Sequence, residues 1–200
     1  MLQSLTRRAL LGLAALSLPG WAQARTPAQT AGPFYPPPDQ RFADDDWDLV
    51  KIEGAVREAG GEILHLSGRV LSEGQPLEGA RVEIWQCDAT GQYLHSGDRG
   101  PGGGDPAFQG YGQMRTGPDG AWRFRTIRPV AYPGRTPHIH ARVTAPGRPV
   151  LTTQFYVAGE PLNARDVLYR RLGAAGQAAL TMELAPAQDG SLAARIDFLV

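Results

Sequence analysis

The chain has 200 residues, and its 20 Lys+Arg balance 20 Asp+Glu, so its formal net charge is zero. Glycine and proline supply 25 and 17 residues, an excess that disfavours a helical bundle and favours short strands joined by turns. A hydrophobic content of 42% with 20% charged residues is typical of a folded domain rather than a disordered chain. Zero net charge argues against nucleic-acid binding. The single cysteine, Cys87, excludes an intramolecular disulfide and a metal site built from several cysteines.

The first 24 residues have the organisation of an export signal. The pair Arg7-Arg8 precedes an apolar run at 9–18, and Ala22-Gln23-Ala24 supplies the small residues that a signal peptidase recognises. The apolar run is shorter than the roughly 20 residues of a membrane span, and the arginine pair is typical of a twin-arginine signal. We therefore expect cleavage after Ala24 and a protein exported to the periplasm or the extracellular space. The alternative is that this run forms a first core helix.

Residues 25–200 are expected to form one all-β domain. The segment 26–48 is rich in Pro and Asp, which favours an extended path over the surface. Strand-like runs alternating with turn signals follow at 63–71, 80–86, 111–115, 122–127, 138–144, 150–157, 179–184 and 192–200. Many short strands with turns between them predict a β-sandwich with long loops.

The sequence also predicts one short helix, one tight turn and one irregular loop. Asn163 suits a helix N-cap, the apolar residues at 164, 167, 168 and 172 share a helical face, and Gly173 suits the helix end. Gly117-Pro118-Asp119-Gly120 is typical of a hairpin turn. The Gly- and Pro-rich residues 97–108 fit neither strand nor helix, so they form either a flexible surface loop or a mobile wall of a binding site.

His138 and His140 lie one residue apart in a strand-like run. Side chains at i and i+2 of a strand point to one face, so both imidazoles can bind one metal ion; a chance pair on a strand face is the alternative. Tyr132 precedes them, and the turn at Pro133-Gly134 can fold its phenol back over the histidine strand. Because a phenol has a pKa of about 10, a phenolate ligand would favour ferric iron over zinc or ferrous iron. Packing against the core is the alternative role for this tyrosine.

Four other polar residues have simpler interpretations when each is taken alone. His65 fits a structural position in a strand, and Cys87 fits a small buried residue at a strand end. Arg135 and Gln154 are typical of solvated surface positions.

Motifs spread over most of residues 25–200 resemble the intradiol ring-cleavage dioxygenases, the family of catechol and protocatechuate dioxygenases. Each motif is weak alone, but their order along the chain makes the set specific. The matching segments are Gln29-Thr30-Ala31-Gly32-Pro33-Phe34-Tyr35, Leu66-Ser67-Gly68-Arg69-Val70, Glu83-Ile84-Trp85-Gln86-Cys87-Asp88-Ala89, Gly91-Gln92-Tyr93-Leu94-His95, Phe124-Arg125-Thr126-Ile127-Arg128-Pro129, Tyr132-Pro133-Gly134-Arg135-Thr136-Pro137-His138-Ile139-His140 and Thr153-Gln154-Phe155-Tyr156.

The resemblance implies a β-sandwich that holds a ferric ion and cleaves a catechol-type ring between its two hydroxylated carbons. The implied iron ligands, besides a hydroxide, are Tyr93, Tyr132, His138 and His140. Arg135 and Gln154 would be the active-site arginine and glutamine, whereas His95 follows the motif without being a ligand. The implied partners are a catechol-type substrate and dioxygen, with no nucleic acid and no membrane span, and a homo-oligomer is left open.

Two rival functions belong to other classes. One is a non-catalytic binding module that uses the same sandwich and keeps a vestigial metal site. The other is a zinc hydrolase built on His138 and His140, which would need a carboxylate or Cys87 as its third ligand.

Overall fold

The structure is a computed structural model that describes residues 24–44, 46–98 and 103–200. The predicted export signal, residues 1–24, lies outside the described residues except for Ala24, and residues 99–102 of the Gly- and Pro-rich loop lie outside them too. The strands are β1 (Ile63–Ser72), β2 (Gln75–Pro76), β3 (Arg81–Trp85), β4 (Tyr111–Arg115), β5 (Ala121–Ile127), β6 (His138–Thr144), β7 (Leu151–Val157), β8 (Thr181–Met182), β9 (Ala185–Pro186), β10 (Leu192–Arg195) and β11 (Phe198–Leu199). Two short helices, α1 (Val167–Arg171) and α2 (Gly173–Leu180), lie between β7 and β8.

These strands form two sheets, which confirms the predicted all-β sandwich. In the first sheet, β1 pairs antiparallel with β5 and β2 and parallel with β10 and β11, and β9 extends the sheet beyond β10. The second sheet has the order β4-β3-β6-β7-β8. Buried apolar side chains from both sheets join in one cluster, including Leu64, Leu66, Val82, Ile84, Phe124, Ile139, Phe155 and Phe198.

Period-two alternation explains which face of each strand packs inward. In β6, Ile139 and Ala141 belong to the core between the sheets, so His138 and His140 point to the opposite face. The residues of β6 from 138 to 141 are nevertheless all buried, because the N-terminal segment, residues 26–41, and nearby loops cover that second face. The second sheet is thus enclosed on both sides around the histidines.

Three local predictions need correction. The turn at residues 117–120 forms, with Gly120 N–H donating to the Gly117 carbonyl at 2.9 Å. It joins β4 and β5, which lie in different sheets, so it is a crossover between sheets rather than a hairpin. The predicted strand at 192–200 is divided into β10 and β11, and between them the Asp197 side chain accepts a hydrogen bond from Arg69 N at 2.8 Å. The predicted strand at 179–184 is reduced to β8, since α2 extends to Leu180.

The helical region is also more divided than predicted. Asn163 lies in a 3-10 turn, Pro161–Ala164, and the N-cap of α1 is Asp166, whose side chain accepts hydrogen bonds from Leu168 N and Tyr169 N. Gly173 follows Leu172, the C-cap of α1, with φ +65°, the left-handed conformation typical of a helix end. This confirms the predicted helix end, although a second helix, α2, begins at the same residue. No helix in the described part of the chain is both long enough and apolar enough to cross a membrane.

Candidate metal centre

Strand pairing places the two histidines at the centre of one sheet face. His140 lies opposite Trp85 of β3 and Gln154 of β7, and His138 lies opposite Tyr156. Directly opposed residues of antiparallel strands point to the same face. These five side chains therefore share the face of the second sheet that is turned away from the sandwich core.

The turn before β6 brings a phenol to the histidines. Arg135 N–H donates to the Tyr132 carbonyl at 2.9 Å and closes the turn. Tyr132 Oη lies 3.5 Å from His138 Nε2, and that nitrogen lies 3.2 Å from His140 Nε2. One phenolic oxygen and two imidazole nitrogens therefore face a common point, as the spacing of these residues predicts.

A second phenol reaches the same place from the loop that follows β3. The ring of Tyr93 lies 5.7 Å from the ring of Tyr132 and 6.0 Å from that of His140. Its backbone N–H donates to Asp98 Oδ2 at 2.7 Å, and Phe34 stacks on its ring at 4.8 Å. The Tyr93 hydroxyl is buried and has no hydrogen-bond partner in the described part of the chain. No local pattern marks this residue, so only the family resemblance could indicate it.

Both imidazoles are held in the neutral form. His138 Nδ1–H donates to the Thr136 carbonyl at 2.7 Å, which leaves the lone pair on Nε2 facing the other candidate ligands. Burial, with a further contribution from the nearby Arg135 cation, lowers the pKa of His138 to about 4. Burial and the neighbouring His138 lower the pKa of His140 well below its usual range. Neutral imidazole is the form that binds a metal ion.

The phenols require a bound cation in order to ionise. Burial raises the pKa of Tyr93 well above its usual range, and the adjacent Tyr132 raises it further. Burial also raises the pKa of Tyr132, although Arg135 opposes this shift. A metal ion would reverse this preference, because its charge favours the deprotonated ligand. Two neutral nitrogens, a half-buried phenol and a buried phenol without a hydrogen bond therefore form a donor set that fits a hard ferric ion.

Arg135 and Gln154 close one side of this cluster. Arg135 Nη2–H donates to Gln154 Oε1 at 2.6 Å, and Arg135 Nη1 lies 3.2 Å from His138 Nε2. Gln154 Nε2–H donates to the Thr30 carbonyl of the N-terminal segment at 3.0 Å. Gln154 is fully buried, and the Arg135 side chain is only 17% exposed. The interpretation of these two residues as solvated surface groups is therefore wrong. Gln154 lies under the covering segment, and Arg135 is held by Asp166, His138 and Gln154.

Two contacts to His140 were not found by sequence reasoning. Trp85 stacks on the imidazole with ring centroids 4.9 Å apart and planes within 7°. Gly32 approaches from the covering segment with φ +69°, and a Cβ at this position would lie 3.3 Å from His140 Cε1. The glycine in the middle of the first family motif therefore has a steric reason to be there.

A buried carboxylate holds the covering segment against the sheet. Glu83 is fully buried, and its Oε1 accepts hydrogen bonds from the hydroxyls of Tyr35 and Tyr111, each at 2.8 Å. Arg41 donates to the Tyr35 hydroxyl at 3.0 Å and lies over the Tyr111 ring at 4.2 Å. These contacts fix the N-terminal segment beside the histidines.

The remaining candidate residues lie outside the cluster or play no donor part in it. His65 is in the first sheet, 3.5 Å from Asp189, and His95 Nδ1 accepts a hydrogen bond from Gly97 N. Cys87 is buried and donates weakly to the Val130 carbonyl at 3.8 Å, and burial raises its pKa to about 12. The described residues contain no group of three or more His, Cys, Asp or Glu side chains that could hold a metal ion.

Two cavities flank the cluster. One, of about 440 Å³, is bordered by Tyr93 and by residues 39–42. The other, of about 210 Å³, is bordered by Tyr132, Arg135 and Asp166. Because a protein cavity of about 150 Å³ can hold benzene, either space is large enough for a single substituted ring.

A family model described as a dioxygenase matches residues 31–198. The chain belongs to the intradiol ring-cleavage dioxygenase family. Among the related dioxygenases, the protocatechuate 3,4-dioxygenase beta chain of Burkholderia cepacia is 39% identical over 136 residues, which cover 62% of this chain and 57% of that protein. Catechol 1,2-dioxygenase of Candida albicans is 30% identical over 164 residues, which cover 72% of this chain and 51% of that protein. This dioxygenase-family chain therefore matches little more than half the length of these two relatives.

A solved dioxygenase domain is similar over nearly its whole length. It comes from a dioxygenase–carbohydrate-binding fusion protein of Streptomyces sp. SirexAA-E and is 35% identical to this chain, with a TM-score of 0.70. The similarity covers 88% of this chain and 98% of that domain. A dioxygenase domain can therefore have the extent of the sandwich described here.

Proposed function

We propose that this protein is a non-haem ferric dioxygenase that cleaves a catechol-type ring between its two hydroxylated carbons. The observation that carries this proposal is the meeting of two phenols and two neutral imidazoles on one enclosed sheet face. Membership in the intradiol family supports the same reaction, and the names of the two relatives support a catechol or a substituted catechol as substrate.

The proposed ligands are Tyr93, Tyr132, His138 and His140. When bound, ferric iron would act as a Lewis acid and electron sink that makes the substrate ring susceptible to dioxygen. Three elements would hold the four ligands: the loop after β3, the turn before β6, and β6 itself, which carries two of them. Trp85 and Gly32 restrict the His140 ring from opposite chain segments, so the imidazole needs little reorganisation to serve as a ligand.

The chain's own groups account for proton transfer and charge. Tyr132 is half-buried and borders the smaller cavity, so we assign its oxygen to accept one of the two catechol protons. Arg135 directs a fixed cation toward the same place, where it would stabilise the negative charge that develops on the substrate. Gln154 restrains the guanidinium through its Oε1 and is itself restrained by the Thr30 carbonyl. The product would be a cis,cis-muconate-type diacid.

Metal analysis and a substrate panel test this proposal together. We expect about one iron per purified chain, and ring cleavage of at least one catechol with consumption of dioxygen. A protein that binds iron but cleaves no catechol would favour the binding module with a vestigial metal site. Zinc in place of iron would favour the hydrolase.

We also propose that the protein is exported after cleavage behind Ala24. The support is the arrangement of Arg7-Arg8, the apolar run and Ala22-Gln23-Ala24. N-terminal sequencing of the periplasmic or secreted protein should find Arg25 first. A cytoplasmic protein that retains residues 1–24 would contradict this proposal.

A further inference from the structure

Asp166 is a buried carboxylate that meets four N–H groups. Its side chain is fully buried. Oδ2 accepts from Arg135 Nε at 2.8 Å and from Thr136 N at 3.0 Å. Oδ1 accepts from Leu168 N at 2.9 Å and from Tyr169 N at 3.0 Å. We propose that Asp166 is a positioning residue that directs the Arg135 guanidinium at the reacting centre.

The geometry of Arg135 gives the reason. A guanidinium is a planar group with five donors in fixed directions. Asp166 holds the Nε edge, so Nη2 is directed at Gln154 Oε1 and Nη1 at His138 Nε2. Without the carboxylate, the side chain is free to turn into the adjacent cavity of about 210 Å³, which Arg135 also borders. The cation would then leave the place where substrate charge develops.

Charge and hydrogen bonding both require aspartate at this position. The two carboxylate oxygens each accept two N–H bonds, whereas an amide has one acceptor oxygen and one donor group. In Asp166→Asn, one orientation retains the helix cap and points NH2 at the Arg135 Nε–H. The other orientation retains the Arg135 contact and points NH2 at the helix N-terminus.

The Asp166 side chain thus links the start of α1 to Arg135 and Thr136. As the N-cap of α1, Asp166 is fixed by the start of a helix, and the same oxygens fix Arg135 and the backbone of Thr136. The position of α1 is therefore transmitted to the arginine that faces the proposed iron ligands. This inference rests on the proposed function only for its kinetic test.

The first experiment uses metal-free protein and needs no activity. In nitrogen-15 NMR spectra, the Arg135 Nε–H should give an exchange-protected resonance, which Arg135→Gln identifies by removing it. Asp166→Asn and Asp166→Ser should both lose this protection. Because serine keeps an N-cap acceptor, Asp166→Ser provides the test if the asparagine variant does not fold. Asn163→Ala is the matched control, because Asn163 is buried in the same loop and accepts from Thr136 Oγ1 at 2.7 Å without contacting Arg135. Absence of a protected resonance in the unmodified protein, or its survival in both Asp166 variants, overturns the proposal.

The second experiment separates positioning from general stabilisation. With iron-loaded protein, Asp166→Asn should lower kcat/KM by about 10- to 100-fold, the loss expected when a catalytic group is displaced by about 1 Å. Asn163→Ala should lower the unfolding temperature and keep kcat/KM per bound iron. In an Arg135→Gln background, Asp166→Asn should have no further effect on kcat/KM. The same loss in both backgrounds overturns the positioning role. If the unmodified protein cleaves no catechol, the proposed function fails, and the resonance experiment still decides the role of Asp166.

Discussion

Tyr93 and Tyr111 offer a matched pair of phenols with opposite expected effects on stability. Both are buried, at 5% and 2% exposure. The Tyr93 hydroxyl has no hydrogen-bond partner in the described chain, whereas the Tyr111 hydroxyl donates to Glu83 Oε1 at 2.8 Å. A buried polar group without a partner costs about 1–3 kcal/mol, and a hydrogen bond to a charged group contributes about 1.5–3 kcal/mol. In the metal-free protein, Tyr93→Phe should therefore raise the free energy of unfolding by about 1–3 kcal/mol, and Tyr111→Phe should lower it by about 1.5–3 kcal/mol.

Urea unfolding of chelator-treated protein measures this difference directly. The two midpoints should move in opposite directions while the denaturant slope stays constant. In a thermal scan, each kcal/mol should move the unfolding temperature by about 2–4 °C for a domain of this size. After iron loading, Tyr93→Phe should become the more damaging of the two substitutions. Tyr93→Phe should alter the visible tyrosinate-to-ferric absorption and depress ring cleavage, whereas Tyr111→Phe should keep both.

Two results would refute this reasoning at different steps. Equal destabilisation by both substitutions in the metal-free protein would mean that the Tyr93 hydroxyl is hydrogen-bonded in that state. Unchanged colour and activity in Tyr93→Phe would mean that this oxygen is not an iron ligand, even if the stability result is as expected.

Three further predictions concern acid stability, backbone strain and the covering segment. The pKa of folded His138 is lowered to about 4, so between pH 6.5 and 4 the unfolded chain binds a proton at this residue that the folded chain does not. The free energy of unfolding of the metal-free protein should therefore decrease as the pH falls through this window, by up to about 3 kcal/mol from this residue. A flat pH profile would contradict this expectation. Gly32→Ala should lose more iron and more stability than Gly134→Ala. Both glycines have positive φ (+69° and +84°), but only a Cβ at position 32 meets an imidazole, at 3.3 Å. Equal losses would mean that backbone strain alone is responsible. Glu83→Gln should destabilise the protein by about 1–3 kcal/mol and speed tryptic cleavage of residues 26–41. The control is Glu73→Gln, which should do neither, because the Glu73 side chain is 83% exposed. A similar response of the two variants would show that the buried carboxylate does not hold this segment.

The long central strands could be predicted from the sequence because one side of each carries a regular apolar pattern. The predicted runs at 111–115 and 138–144 coincide with β4 and β6, and 63–71 differs from β1 by one residue. Short strands were less predictable. The last run is divided where Asp197 accepts a hydrogen bond from Arg69 N, and this contact between distant segments leaves no local sequence signal. The helix start was misplaced because Asn163 and Asp166 are both good N-cap residues, and only the buried hydrogen bonds of Asp166 decide between them.

The site residues that could be predicted from the sequence are those marked by a pattern within their own segment. His138 and His140 are marked by strand spacing, and Tyr132 is marked by the turn before them. Tyr93 carries no such signal, because a loop hydrogen bond to Asp98 and stacking by Phe34 set its position. Positions fixed by distant segments require either the fold or a family resemblance.

The unsatisfied polar atoms support a functional centre at this place. Seven buried side-chain N or O atoms in the described chain lack a hydrogen-bond partner, and three of them belong to Trp85, Tyr93 and His140. The rings of Trp85 and Tyr93 lie 4.9 Å and 6.0 Å from the His140 ring, and of the three atoms only the Tyr93 oxygen is a proposed ligand atom. Native proteins keep few such atoms, and they occur where function opposes stability. The apolar core between the sheets can tolerate a local penalty of about 1–3 kcal/mol for each atom. A ligand that binds only the folded state adds to its stability, so a metal ion that engaged the Tyr93 oxygen would offset part of this penalty. The site is therefore expected to be a locally unfavourable part of the metal-free fold, and the opposite stability shifts of the two tyrosine variants follow from that imbalance.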